Sequence, residues 1–155
     1  MFFDEEMLLD LRLNIMDKYV DKFVITEATY MHSGKPKKLT FDIKKFKKFK
    51  DKIIYIIVDN QPKDLIKINS HDDNDIKLKK MTDNAKKREV YQINEVNKGL
   101  IDSDANDIII ISDLDEIPNL ENLDFKKIKK KFIFFKQKMY YYKLNLLYKS
   151  FDWYG

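Results

Sequence analysis

Asp113-Leu114-Asp115 sets two carboxylates around one apolar residue, directly after the run Ile108 to Ile111. Two acids at the mouth of a buried strand repel each other unless a cation or hydrogen-bond donors neutralise them. Hard oxygen ligands favour Mg²⁺ or Mn²⁺, and such ions bridge carboxylates to substrate phosphates. The chemistry this predicts is the handling of a diphosphate. An isolated Asp-x-Asp is a weak signal that occurs in many solvated turns; at the end of four isoleucines it is much stronger. Two further acids, Glu27 and Asp59, end the runs Lys22 to Glu27 and Ile53 to Val58.

Other polar groups have plainer readings. His71-Asp72-Asp73-Asn74-Asp75 reads as a solvated loop rather than a metal site. His32 reads as a loop side chain. The tyrosines at 140 to 142 suit core and sheet surface better than a sugar platform, and Trp153 suits a sugar ring or the edge of a core equally. The lysines from 126 to 131 form a solvated helix face, with attraction to anionic lipid headgroups the lesser reading.

The elements that must position these groups follow from periodicity. Met7, Leu8, Leu11, Ile15 and Met16 recur at helical spacing from about Asp4 to Tyr19, with acids in the first turn. Lys22 to Glu27 reads as a short strand, followed by turn signals at Ser33-Gly34-Lys35-Pro36. Phe41 to Lys50 reads as a helix. Ile53 to Val58 is continuously apolar, as in a strand covered on both faces of a parallel sheet. The stretch from Lys63 to Lys80 is ambiguous. A helix is predicted from Thr82 to about Leu100, capped by Thr82 or Asp83, with Val90, Ile93, Val96 and Leu100 as its stripe. Ile108 to Ile111 reads as a third strand, Leu123 to Lys130 as a short helix, and Phe132 to Phe135 and Met139 to Leu147 as strands. Alternating strands and helices predict an open, mostly parallel, Rossmann-like sheet, with Phe23–Thr26, Ile53–Val58 and Ile108–Ile111 adjacent. Ligands in such sheets sit beyond the carboxyl ends of the strands, where Glu27, Asp59 and Asp113 lie.

At 155 residues the chain has room for one domain, residues 1–155. Its hydrophobic share of 44% and aromatic share of 14% exclude a disordered chain. No cysteine is present, which excludes disulfides and thiolate chemistry, and two histidines are too few for a histidine-built metal centre. Any metal must be held by oxygen. The net charge of +4 comes almost wholly from lysine, with Arg12 and Arg88 the two arginines, so nucleic acid is not expected as a partner. No signal peptide or membrane span is visible, which favours a cytoplasmic location and leaves peripheral membrane contact open.

The run from Ile108 through Ser112-Asp113-Leu114-Asp115-Glu116-Ile117-Pro118 resembles the signature of glycosyltransferase family 17, the β-1,4-N-acetylglucosaminyltransferases. Phe2 to Leu13, Val20 to Glu27, Ser33 to Pro36, Arg88 to Asn94 with Gly99-Leu100, Tyr140 to Asn145 and Trp153-Tyr154-Gly155 are similar to further segments of that family, in order. The resemblance implies a GT-A-like fold and transfer of N-acetylglucosamine from UDP-GlcNAc to a saccharide acceptor. A β-linked product from an α-linked donor means inversion at the anomeric carbon. Mn²⁺ or Mg²⁺ is implied at Asp113 and Asp115, and donor contacts at Glu27, Arg88, Asn94 and Asp113; Asp59 is added as a donor contact from its place at a strand end. Asp10 and Arg12 match family positions too, although mid-helix an ion pair or a surface face is the plainer reading.

The chain departs from the family at Ile93, where an arginine is usual, which removes one expected donor contact. The general base is open between Asp152 and Glu116. The family pattern begins with a strand before Phe2 and continues beyond Gly155, so the reading includes a domain trimmed at both ends that binds donor better than it turns it over. One alternative is therefore a catalytically incomplete nucleotide-binding fragment. The other is a haloacid-dehalogenase-type phosphotransferase with Asp113 as nucleophile and Asp115 as acid and base.

Overall fold

A computed structural model describes residues 1–141, 145–149 and 152–154. Helix α1 spans Glu6–Met16 and leads into strand β1, Phe23–Ala28. A 3-10 helix, Ile43–Phe49, precedes strand β2, Ile53–Val58. Helix α2, Asn74–Glu95, continues as a 3-10 turn, Val96–Leu100. After a 3-10 turn at Phe125–Lys127, two short strands, β3 at Lys136–Gln137 and β4 at Trp153–Tyr154, pair antiparallel. The fold is mixed α/β around a small parallel sheet. β1 and β2 run parallel with Phe23 opposite Ile53 and Ala28 opposite Val58.

The two faces of β1 do different work because side chains alternate across a strand. Phe23 and Ile25 face the main core with Phe2, Leu9, Leu13, Met16, Phe46, Phe49 and Leu120. Phe41 stacks between Phe46 and Tyr55, at centroid distances of 5.6 and 4.4 Å, and meets the edge of Phe2 at 5.8 Å. Val24 faces Gly99 on the opposite side, and Ala28 joins Tyr30, Val58 and Tyr91 in a second apolar cluster.

The predicted strands at β1 and β2 form where expected, and in parallel. Ile108–Ile111 does not form the third strand: it joins no ladder, and Ile108, Ile109 and Ile111 are exposed. A strand exists only through its partner, and the Thr26 carbonyl on β1 is taken by Phe2 N at 2.8 Å. The segment is anchored instead through Ile110, Leu114 and Ile117, which pack on the main core. β2 is only partly covered, with Ile57 exposed. Phe41 to Lys50 is a 3-10 helix broken at Phe46 (φ −113°, ψ 33°), not a continuous α-helix. The predicted helix at Leu123 to Lys130 shrinks to Phe125–Lys127. In the aromatic C-terminal stretch, Tyr140 bridges Leu147, and the tyrosine at 142 lies outside the described residues.

Both α-helices turn a different face inward from the one their apolar spacing suggests. α1 buries Leu9, Leu13 and Met16, while Met7 and Leu11 are exposed. The helix is apolar on several sides, so packing against β1 makes the choice. α2 begins at Asn74, well before Thr82, because Asp73 Oδ1 accepts from Ile76 N at 2.7 Å as an N-cap. Its buried residues are Asn84 and Gln92, with Val90 and Ile93 exposed.

Candidate functional site

The turn from Ser112 to Glu116 is held by Arg12. One guanidinium nitrogen donates to the carbonyls of Asp113 (2.7 Å), Glu116 (2.8 Å) and Leu114 (3.4 Å), and the other to Ser112 Oγ at 2.6 Å. Glu116 N closes the turn onto Asp113 O at 3.1 Å, and Ser112 Oγ donates to Glu116 O at 3.1 Å. A planar fork with five donors suits this task, because it can gather several carbonyls at once. Arg12 sits mid-helix, where sequence reasoning placed a surface group. The available signal was its place in α1 directly before Leu13, which the helix buries.

Within the turn, Leu114 packs inward while Asp113 and Asp115 are exposed. The alternation that suggested a strand end thus holds without a strand. Partial desolvation against the turn is the first cause raising the Asp113 carboxyl above its ordinary range; Glu116 and Asp115 push the same way and the Met1 ammonium opposes them. Glu116 Oε2 accepts from Asp113 N at 3.0 Å, and its Oε1 accepts from Trp153 Nε1. Glu116 is therefore built into the turn and ties the last described strand to it. Asp152, the other candidate base, is paired with Lys136 at 2.6 Å on the surface.

Glu27 and Asp59 lie apart from this turn. Glu27 is fully buried and turned to the Phe41–Tyr55 side of β1. Its oxygens accept from Tyr55 OH (2.7 Å), Thr40 N (2.8 Å), Thr40 Oγ1 (3.1 Å) and Phe41 N (3.1 Å), and it is paired with Lys37. It locks the loop from Lys37 to Phe41 onto β1. Burial works to raise its pKa, but the bonds from Lys37, Tyr55 and the two backbone groups outweigh it and hold the carboxyl low. Asp59 is exposed just beyond β2, where Oδ1 accepts from Asn60 at 2.9 Å.

α2 carries the remaining candidates. Arg88 bridges two loops, donating from Nε to Gln61 Oε1 at 2.8 Å and from a terminal nitrogen to His32 O at 3.1 Å. Gly34 (φ 86°) sits against that guanidinium, and an added Cβ would meet it at 2.7 Å. Asn84 pairs with the Ile66 backbone in both directions, at 2.7 and 2.8 Å. Asn94 lies with Tyr91, Val90 and Asp64 along an open groove of about 470 Å³ between α2 and the loop after β2. A cavity of about 270 Å³ lies past the end of β1, against Phe2, Tyr30 and Gln92.

The fit of this chain to a divalent cation rests on its donor set. Asp113 and Asp115 offer hard oxygens on an outward-facing turn. Among the described residues no three acidic or histidine side chains converge as a preformed cage. That arrangement suits Mg²⁺ or Mn²⁺, which take one or two carboxylates and complete their shell with phosphates and water. No helix among the described residues is long and apolar enough to cross a membrane.

The family model described as glycosyltransferase family 17 matches residues 1–155. No curated protein and no solved structure matches the chain.

Proposed function

The chain belongs to glycosyltransferase family 17, and from that premise we propose that it moves N-acetylglucosamine, or a related sugar, from a UDP-sugar to a glycan acceptor with inversion. The observation that carries the reading is the turn held by Arg12, which presents Asp113 and Asp115 to solvent while Leu114 anchors it. Asp115 would hold Mn²⁺ or Mg²⁺ together with the donor's diphosphate, and Asp113 would lie beside the metal or the ribose. When bound, the cation supplies Lewis-acid stabilisation of the charge that grows on the leaving diphosphate. The parallel pairing of β1 and β2 supports a GT-A-like nucleotide half.

The residues of this chain have separable tasks in that scheme. Arg12 fixes the backbone of the metal turn, so the carboxylates need not be ordered when donor arrives. Arg88 ties the loop after β1 to the loop after β2, framing the donor side. A carboxylate must accept the acceptor hydroxyl's proton. Glu116 belongs to the turn itself and Asp152 lies beside Trp153, and these two are the candidates.

The test is a thermal shift with UDP, UDP-GlcNAc and GDP-mannose, each with and without Mn²⁺. Ligand at about 100 times its dissociation constant adds roughly 2.7 kcal/mol to the folded state. The expected result is a Mn²⁺-dependent rise with UDP and UDP-GlcNAc. No shift with any uridine nucleotide, with or without Mn²⁺, would overturn the donor assignment.

A further inference from the structure

The charge of this chain is divided unevenly along its length. Between Asp124 and Asp152 lie nine lysines and no acid, so that stretch carries +9; the rest of the chain, with 21 of the 30 cations against all 26 acids, carries −5. Lys126, Lys129, Lys130 and Lys131 are exposed, and no acid pairs with them among the described residues. Lys127 and Lys136 do have acids at hand, in Asp124 at 3.1 Å and Asp152 at 2.6 Å. Only Phe125–Lys127 is helical, and residues 128–135 belong to no helix or strand. The lysines therefore do not line the solvated helix face that the sequence suggests.

The same stretch turns apolar side chains outward. Phe132 is 81% exposed and Phe134 73%, whereas Phe125 and Phe135 at the two ends pack on the main core. No other phenylalanine among the described residues is more than 42% exposed. The loop is thus pinned at both ends and carries its rings into solvent. Two such rings left in water forgo the burial that drives the rest of the fold. An exposed apolar patch rimmed by polar groups marks a surface that something else covers.

Charge and side-chain type say what covers it. Pairing the patch on itself in a second copy would bring two +9 segments together, and these repel. Single-stranded RNA would use the lysines, but the stretch holds no arginine to stack on bases or grip phosphates in bidentate fashion. Lysine carries a compact charge on a long apolar stem, which can lie along a hydrocarbon boundary while the ammonium stays among polar headgroups. A cluster of about four to eight lysines beside apolar side chains is the composition that holds a protein on an anionic bilayer.

We propose that Lys126, Lys129, Lys130 and Lys131, with Phe132 and Phe134, form a docking surface for an anionic lipid bilayer. The rings enter the boundary between headgroups and acyl chains, and the ammonium groups meet the lipid phosphates and carboxylates. The surface is joined to the candidate site. Two residues after Phe134, Lys136 begins β3, which pairs with β4, and Trp153 of β4 donates to Glu116 in the Asp113–Asp115 turn. Docking there holds that turn near the membrane, which suits an acceptor borne on a lipid or a membrane glycoconjugate. That consequence rests on the transfer reading above; the docking surface itself does not.

The test mixes the 155-residue chain, without nucleotide or Mn²⁺, with vesicles of phosphatidylcholine alone or of equimolar phosphatidylcholine and phosphatidylserine. The chain should bind the anionic vesicles about tenfold or more tighter, and added salt should weaken that binding. Replacing three lysines together (Lys129→Gln, Lys130→Gln, Lys131→Gln) should cost about a hundredfold in affinity. A Phe132→Trp chain on anionic vesicles should gain emission that brominated lipid quenches, beyond what Trp153 gives in the parent. No binding to anionic vesicles overturns the proposal, and so does unchanged affinity in a folded triple-lysine variant. If that variant does not fold, an unquenched Phe132→Trp chain on the vesicles overturns it just as well. Tighter binding to polyadenylate than to anionic vesicles would give the patch to single-stranded RNA instead. None of these outcomes bears on the donor reading, because neither nucleotide nor metal is present.

Discussion

At the scale of single residues, Asp113 and Asp115 differ from most charged groups near them in being exposed on the turn that carries them. Lys37, Lys80 and Lys87 each pair with an acid, and Arg88 is taken by two loops. Asp115, by contrast, is exposed on a turn whose carbonyls Arg12 gathers. Asp115→Asn keeps the shape and removes the charge. It should abolish Mn²⁺-dependent UDP binding and leave the melting temperature of the ligand-free chain unchanged; equal Mn²⁺-UDP affinity in calorimetry would mean the role is wrongly assigned. Arg12 makes the complementary prediction. Its four bonds to the turn are lost together in Arg12→Ala, which should destabilise the chain by about 2 kcal/mol. Urea unfolding measures that loss, and amide exchange should accelerate from Ser112 to Glu116. If exchange there stays as slow as in the parent chain, Arg12 does not hold the turn.

At the scale of elements, α2 is the piece that ties together the loops after β1 and β2, and it does so with polar groups. Asn84 and Arg88 occupy successive turns of its inner face, Tyr91 joins the second apolar cluster, and Gln92 is buried beside the Tyr30 hydroxyl. The 3-10 turn that follows brings Gly99 against Val24, where an added Cβ would meet the two γ-methyl carbons at 2.5 and 2.7 Å. Those carbons belong to a β-branched residue in a strand, which has few alternative rotamers. Gly99→Ala should therefore cost about 1–3 kcal/mol, as overpacking does. A melting temperature equal to the parent's would show that β1 and this turn are not in the close contact described.

At the scale of the whole molecule, the buried Glu27 cluster joins β1, β2 and the loop from Lys37 to Phe41 into one body. Its carboxyl is held below the ordinary glutamate value, so the folded state binds this proton less readily than the unfolded chain. The sign follows: the contribution is fully present above about pH 4.5 and is lost as the pH falls through the lower folded value. Thermal melts from pH 7 to pH 3 should show stability falling on the acid side, and Glu27→Gln should flatten that fall while lowering stability at pH 7. A Glu27→Gln chain with the parent's acid dependence would place the sensitivity elsewhere. Removing one partner of a buried pair costs about 3–5 kcal/mol, so Glu27→Ala should unfold far more readily than Glu27→Gln.

Much of this protein is legible in its residues alone. The β-branched runs Phe23–Thr26 and Ile53–Val58 can bury their side chains only as strands, and the intervening residues are enough for a parallel crossover. The Asp-x-Asp turn and the ordered family segments are local and survive without tertiary knowledge. Three things were decided by packing. The inward faces of α1 and α2 were chosen by contact, since α1 is apolar on several sides and α2 turns polar groups inward. Ile108–Ile111 has strand composition but no partner, and pairing rather than propensity makes a strand. Last, Arg12 and Ser112–Glu116 lie some 100 residues apart, with separations of 100 to 104 between bonded groups. No local pattern encodes a side chain wrapped around carbonyls that far along the chain; only folding brings the guanidinium to the turn.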